Sequence, residues 1–537
     1  MEKRFIIAVM LSFLVLYFWS ATLPKSYQKN KLNSKNLSTE EVKNFNISKN
    51  ESIEYEVEKM SQVSEKTERI NTEKLKVEFS NVGGKIKNVQ INDYKAYLPI
   101  NNILSIKEYE NKEFKLQEIT ENSIIYVYEN EDIEIINKFN VSKNDYIVQS
   151  ECYYKNKLNY NKIINLNFNI LNLDMSNLEN VQGAFASNNE KSLYEYVIKT
   201  ENEFIRKNSA YKFSQKEIKS EKSSVNWVGF RNRYFCALIK PEFKVTDYSI
   251  NVKNEKNLNI SINTEKINLE PNEAFSFKYF SFFGPEKVEL LKNYKHTFEE
   301  VKNYYNFSLF DAVAKLIYKI VHLNYKIIPN WGLSIIILSI FIYFLTYPLT
   351  LKSMASVKKM QALQPKIAVL KEKHKNNPQK LQIEQMELFK KNKINPASGC
   401  LPMLLQMPVF LGLYQALWRD VSFKGAKFLW IKDLSEPDRL FVFNFQLPIV
   451  GNELNLLPII MIVLMYFQQK NTSVNMATVD AAQAQQQKIM TFVMPIFLGV
   501  IFYKFASGLS LYFTMFYAFS AITQWKTSKI SVETRDT

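Results

Sequence analysis

Ser339, Tyr343, Thr346 and Thr350 fall within roughly 60° of one another when residues 331–350, "WGLSIIILSIFIYFLTYPLT", are wound as a helix. In the same projection Ser510, Thr514, Tyr517 and Gln524 occupy an arc of about 80° on the last apolar segment. Each stripe puts hydroxyls and an occasional amide on an otherwise apolar cylinder. Their chemistry is hydrogen bonding, either to a neighbouring helix or to water and a polar guest. Both readings stand. Hydroxylated residues are common packing points between membrane helices and contribute modestly, whereas two aligned stripes together with Gln406 would line a shared hydrated cavity. Gln415 points opposite Gln406 on its helix and belongs to neither set.

Catalysis has little to build on. His296, His322 and His374 are scattered, with no zinc-ligand spacing and no nucleophile motif. In "NVGGKIKN" no glycine stands five residues before Gly84 and no Ser or Thr follows Lys85, so Gly83–Gly84 is a hairpin turn, not a phosphate loop. Cys152, Cys236 and Cys400 cannot form a disulfide framework, although the first two could pair outside the cytoplasm. No metal or cofactor is expected, and the chain does not read as an enzyme.

The elements that must carry the stripes are apolar segments at 331–350, 400–418, 455–469, 488–505 and 509–525. An N-terminal run at 1–22 follows Lys3 and Arg4 and lacks a small-x-small cleavage pattern, which makes it an anchor. Crossing a bilayer takes about 20 residues, and three of the segments are shorter. Pro348, Pro402, Pro408, Pro458 and Pro495 withdraw backbone donors within or at the ends of these spans. Freed carbonyls in hydrocarbon need side chains or water. The expectation is a compact bundle with a proline-broken third span, letting water part-way in. A channel or transporter would show a charge buried mid-span or internal repeats; none is found, and Lys504 sits near a span end. A polytopic transporter or channel is the alternative class.

The 537 residues carry a net charge of +16, 23% charged residues and a mean hydropathy of −0.21, figures that suggest a soluble, nucleic-acid-binding chain. The distribution argues otherwise. Residues 351–399 hold eleven Lys and three Glu, half the net charge, between two apolar spans, as a cytoplasmic loop should. Contact with ribosomal RNA stays open. The loop 419–454 balances its charges, as an external loop can. Six spans then place both termini inside and the region before 306 outside.

Within the basic insert, Met354, Val357, Met360, Leu363, Ile367 and Leu370 recur at helical spacing, and Leu381, Ile383, Met386 and Phe389 follow less regularly. Two helices joined at Asn376–Pro378 would form a hairpin with a coiled-coil-like seam. Lys358, Lys359, Lys366, Lys371, Lys373 and Lys375 lie outside that seam, as a solvated surface or as a docking arm for anionic partners and nascent chains.

Residues 23–74, rich in Lys, Asn, Ser and Glu, cannot bury enough surface to order and read as a tether. Residues 75–305 alternate in short β-branched and aromatic runs such as "LKVEF" and "SIIYVY", the pattern of an antiparallel sandwich. At 306–330 an amphipathic helix would lie flat on the membrane or pack on the β-domain. Residues 526–537 form a tail. The fold class expected is a membrane α-helical bundle with a cytoplasmic helical hairpin, plus an extracytoplasmic all-β sandwich.

The stretches "NWGLSIII", "YPLT", "KMQALQPKI", "NPASGCLPMLLQMPVFLGLY", "QQQKIMTFVMPIFLGV" and "SGLSLYF" resemble, in consecutive order over about 200 residues, YidC-type membrane protein insertases of the Oxa/Alb group. The anchor and β-domain resemble the form found in bacteria with two membranes, where that domain is a periplasmic β-sandwich. The resemblance implies an inner-membrane protein with a groove open to cytoplasm and lipid and closed outside. Such a groove takes the polar flank of a nascent membrane protein while the apolar segment leaves sideways. It implies the ribosome, Sec translocon components, the signal recognition particle receptor and membrane lipids as partners. The family commonly has an arginine four residues before the "YPLT" tyrosine, where this chain has Tyr343. A residue noted for contacting substrate falls on Phe513. The groove lining implied is Ser339, Tyr343, Thr346, Thr350, Gln406, Ser510, Phe513, Thr514 and Tyr517.

Overall fold

In a computed structural model, residues 64–174, 194–208, 218–219, 223–254, 257–305, 308–375, 377–395, 401–447, 451–473 and 489–528 are described. The N-terminal anchor at 1–22, the tether up to residue 63, Cys400 and the tail beyond 528 lie outside the described residues. The chain divides into two compact units, Met1–Pro285 and Glu286–Thr537.

The first unit is built on two large antiparallel sheets. One has nine strands, in the order Phe204–Asn208, Glu195–Thr200, Val225–Arg231, Phe235–Pro241, Ala274–Pro285, Ile147–Asn156, Ile133–Val141, Ser123–Glu129 and Lys115–Ile119. The other has six, with Asn257–Thr264 and Asn167–Asp174 at its centre. Along Ile133–Val141 every second residue is buried, the period of a strand with one face in a core. Phe168 of the six-stranded sheet meets Phe277 and Tyr279 of the nine-stranded one at 5.1 and 5.6 Å between ring centroids. This is the expected sandwich. It begins earlier than the composition indicates: strand Thr67–Asn71, inside the stretch read as tether, pairs with Leu75–Ser80. Ile70 alone of that strand is buried, so partner pairing and not hydrophobicity holds it. Gly83 and Gly84 take φ of +81° and +52° in the turn after it, as only glycine does readily.

Cys152 and Cys236 are buried and not disulfide-bonded. Both pair across to strand Ala274–Pro285, Cys152 opposite Phe277 and Cys236 opposite Gly284. Seven residues of strand separate those partners, about 23 Å, whereas disulfide-linked Cα atoms lie within about 7 Å. The register forbids the bridge left open by sequence.

The second unit is helical: α1 (Val288–Asn293), α2 (Ser308–Ile327), α3 (Trp331–Ala362), α4 (Gln364–Lys373), α5 (Pro378–Lys391), α6 (Leu401–Trp418), α7 (Leu456–Ser473), α8 (Met494–Phe502) and α9 (Ser507–Ser528). A strand pair, Phe441–Leu447 with Gly451–Leu454, precedes α7. Among the described residues one helix segment, Trp331–Ser353, is long and apolar enough to cross a membrane by length and composition; Leu456–Lys470 and Thr491–Phe502 are shorter apolar helices.

Three local expectations are corrected. α3 does not stop at residue 350; it runs through Pro348 to Ala362 and takes in the first half of the basic insert. The break comes at Pro365, near the start of α4, where the missing N–H costs least. α6 is continuous through Pro408 rather than broken by it; Gly412 lets α2 approach so closely that an added Cβ would lie 2.9 Å from Val313, and this packing supports the helix around its proline. α2 packs on α3 and α6. Its inward face is Ala314, Ile317, Tyr318 and Val321, and Leu309, Leu316, Leu323 and Ile327 form a separate exposed row.

Candidate functional site in the helical unit

α9 is the shared element, touching α3, α6 and α7. Its position follows from its sequence, which offers a different face to each neighbour. Phe516, Phe519 and Thr523 meet Tyr343 of α3: the phenol donates to Thr523 Oγ1, and its ring lies 5.9 Å from Phe516 and 5.8 Å from Phe519. Tyr512 meets Gln406 of α6, whose Nε2 donates to the Tyr512 hydroxyl at 3.4 Å. Phe513 packs on Phe410 and Phe502 at 5.6 and 4.9 Å and stacks toward Tyr517 at 6.3 Å. Thr514 faces the first turn of α7, with Leu457 O at 3.4 Å.

Most stripe hydroxyls turn back on their own helices. Ser339 donates to Ile336 O at 2.6 Å, Thr346 to Ile342 O at 3.0 Å, Thr350 to Thr346 O at 3.0 Å, and Thr514 to Ser510 O at 2.7 Å. Ser510 Oγ is buried with no hydrogen-bond partner among the described residues. Ser339, Tyr343, Thr346, Ser510, Phe513 and Thr514 are buried, while Thr350, Gln406 and Tyr517 are half-buried. The nine residues do not form one continuous face. Four of them meet other residues in two groups around α9, Tyr343 with Thr523, and Gln406, Phe513 and Tyr517 with Tyr512.

Sequence reading missed three contacts. Gln468 of α7 donates to Ser520 of α9 at 2.8 Å, adding a third polar bridge to the same helix; the "FQQK" amides were its only signal. His374 is buried, with Nε2 2.9 Å from Glu384 Oε1, joining α4 to α5. Thirdly, His322 Nε2 lies 2.6 Å from Asp420 Oδ2. Asp420 is fully buried and also accepts from Ser422 N at 2.9 Å. Burial pushes its carboxyl up, but the Lys302 charge and the His322 hydrogen bond outweigh that and hold it down at about 2. Lys302 Nζ donates to Glu286 O at 3.0 Å and sits 4.1 Å over the Tyr318 ring, and Tyr318 donates to Glu289 at 3.0 Å. This network pins α1 and α2 to the loop after α6.

In the basic hairpin, Leu363, Ile367, Phe389 and Ile394 form the seam. Ile383 and Met386, expected within it, are exposed. Lys359, Lys366, Lys373 and Lys375 are exposed and Lys371 is half-buried; the side chain of Lys358 lies outside the described residues. Lys373 approaches Glu384 at 3.9 Å.

On the outside of the unit the pattern inverts. Phe341, Phe344 and Leu345 of α3 and Ile459, Val463 and Phe467 of α7 are exposed. Large apolar side chains turned outward, around an apolar core in which the few hydroxyls and amides are bonded inside, is the arrangement of a protein embedded in lipid. The fold and site thus define an integral membrane protein with an appended β-sandwich.

The sequence comparisons narrow this class. Residues 323–534 match the family described as 60Kd inner membrane protein, and residues 107–320 match the YidC periplasmic domain. Both family models describe parts of YidC-type proteins, in the same order, and the chain is similar to the inner-membrane form that carries a periplasmic β-domain. The membrane protein insertase YidC of Geotalea daltonii is 29% identical over 95% of this chain and 96% of its own length. That of Pelodictyon phaeoclathratiforme is 32% identical over 60% of this chain, and the chain spans 54% of that relative. A crystal structure of an active YidC insertase with its first transmembrane domain resolved aligns over 87% of this chain and 94% of its own, at 18% identity and a TM-score of 0.38.

Proposed function

We propose that the chain is a membrane protein insertase. It receives the polar flank of a nascent membrane protein between α3, α6, α7 and α9 and releases the apolar segment sideways into lipid. The observation that carries this reading is the inward polar seam lying beside an outward apolar surface on the same helices. Its three interhelical bonds are single side-chain contacts, each worth about 0.6 kcal/mol in a membrane bundle. An entering chain can replace them with its own polar groups at little cost, while hydroxyls now folded onto backbone carbonyls become free to solvate it.

In this reading six spans, the first at 1–22, put both termini in the cytoplasm and the loop 419–454 outside. The exposed leucine row of α2 rests on the lipid surface. The lysines of the hairpin stand at the cytoplasmic mouth, where the ribosome and the signal recognition particle receptor offer anionic surfaces, and some clients arrive through Sec translocon components.

Photocrosslinkers at Tyr343, Thr346, Thr514 and Tyr517 are expected to capture a ribosome-arrested nascent membrane protein. Silence at all four, in protein that expresses and folds, would refute the assignment. Depletion separates insertase from transporter: the first leaves small membrane proteins uninserted, the second stops one solute flux.

A further inference from the structure

The strand pair between α6 and α7 has an unusual surface. Twelve consecutive residues, Phe441 to Asn452, carry no charge. Phe441, Phe443 and Phe445 alternate onto one face of their strand, and the rings of Phe443 and Phe445 stack at 5.2 Å. Phe441, Val442 and Phe445 are 59%, 61% and 59% exposed. An isolated two-stranded ribbon is marginal in water, and among the described residues this one leaves Phe441 and Phe445 of its aromatic face exposed.

Its base, in contrast, is fixed. Arg439 Nε pairs with Glu453 at 2.8 Å, and Leu440 N donates to Leu454 O at 2.8 Å. Asp438, buried, caps α7 by accepting from Leu456 N and Leu457 N at 2.7 and 3.0 Å, and takes the Trp430 indole N–H at 3.2 Å. Asn455 Nδ2 donates to Tyr503 O at 2.8 Å, beside the end of α8. The ribbon therefore springs from the level at which two apolar helices end, one residue before α7. The outward apolar side chains of α7 start at Ile459, within its first turn, so the ribbon continues a lipid-facing surface already present.

We propose that this aromatic ribbon is a lipid anchor: it lies in the headgroup–acyl boundary at that end of the bundle, with Phe441, Phe443 and Phe445 toward the acyl chains. Phe side chains bury into that boundary from segments lying at the interface, and this one brings no charge that would have to be desolvated. The fixed base sets the height of the helix ends against the membrane surface. The proposal requires only that the helical unit be membrane-embedded; it holds or fails independently of insertion activity.

Spin labelling of the full chain in phospholipid vesicles tests it. In a Cys400→Ser background, with buried Cys152 and Cys236 left in place, a nitroxide is attached at Phe445→Cys, with Ile163→Cys, 69% exposed, as the aqueous reference. Phe441→Cys, on the same face and equally exposed, serves where loss of Phe445 disturbs folding. The label is expected to collide freely with oxygen and poorly with an aqueous nickel chelate, the reverse of Ile163. Free access to nickel would overturn the proposal in favour of a solvated loop. Low access to both would overturn it in favour of burial against a second copy of the chain.

Discussion

Tyr343 stands where the resembling family commonly has arginine, and its surroundings explain how a ring is kept there. Phe344, Tyr347, Phe516 and Phe519 enclose it within about 6 Å, and among the described residues its hydroxyl bonds to Thr523 alone. The ring and the hydroxyl therefore make separable contributions. Tyr343→Phe keeps the packing and loses one interhelical bond, so its unfolding free energy in detergent should fall by under about 1 kcal/mol. Tyr343→Ala leaves a cavity between α3 and α9 and should cost about 3–5 kcal/mol. Thermal unfolding of both variants checks the pair; equal losses would mean that the rings do not pack as described. At this scale the sequence was half legible. A helical wheel identified the stripes, because side-chain direction follows from helix geometry. It could not show that Ser339, Thr346, Thr350 and Thr514 would satisfy themselves on their own carbonyls, since that depends on a χ1 choice. Nor could it pair Tyr343 with Thr523, 180 residues away.

At the scale of elements, the Asp420 network shows how distant pieces are tied. Its carboxyl is held well below the ordinary value of about 3.9, at about 2. A depressed carboxylate contributes stability that is complete above its unfolded pKa and lost as pH falls through its folded one. The helical unit should accordingly lose stability between about pH 4 and pH 2. Asp420→Asn, leaving the Lys302 charge uncompensated, should cost about 3–5 kcal/mol at neutral pH and flatten that acid limb. Acid titration of helicity in wild type and variant reads both effects; an unchanged acid limb in the variant would contradict the network. Element boundaries were legible where a local signal sets them. Pro378 starts α5 behind the Asn377 cap, whose side chain accepts from Lys380 N at 3.0 Å, whereas the break at Pro365 was hidden by an apolar spacing that continues from Met354 to Leu370. They were illegible where tertiary contacts decide, as for Thr67–Asn71, an exposed strand held by its neighbour, or α6, helical through Pro408.

For the whole molecule, the change from β-alternation to apolar helical runs is visible in composition because sheet and membrane helix bury different periodicities. The structure divides at Pro285, however, and not at the 305 that the sequence indicates, because the short helix Val288–Asn293 is tied to the helical unit through Glu289 and Tyr318. The first unit has its own sandwich core. Residues 64–285 expressed alone should fold with a cooperative thermal transition, followed by near-ultraviolet circular dichroism. A featureless spectrum would show that the sandwich depends on the rest of the chain. In the second unit, the unbroken course of α3 has a mechanical consequence. Its 32 residues extend about 48 Å, well beyond a hydrocarbon core of about 30 Å. The surplus is a stiff crank joined to the basic hairpin through the short break at Pro365. Whatever pulls on the hairpin therefore exerts torque on the rod, and the Tyr343 contact with α9 lies part-way along it, where a tilt would first pry two helices apart.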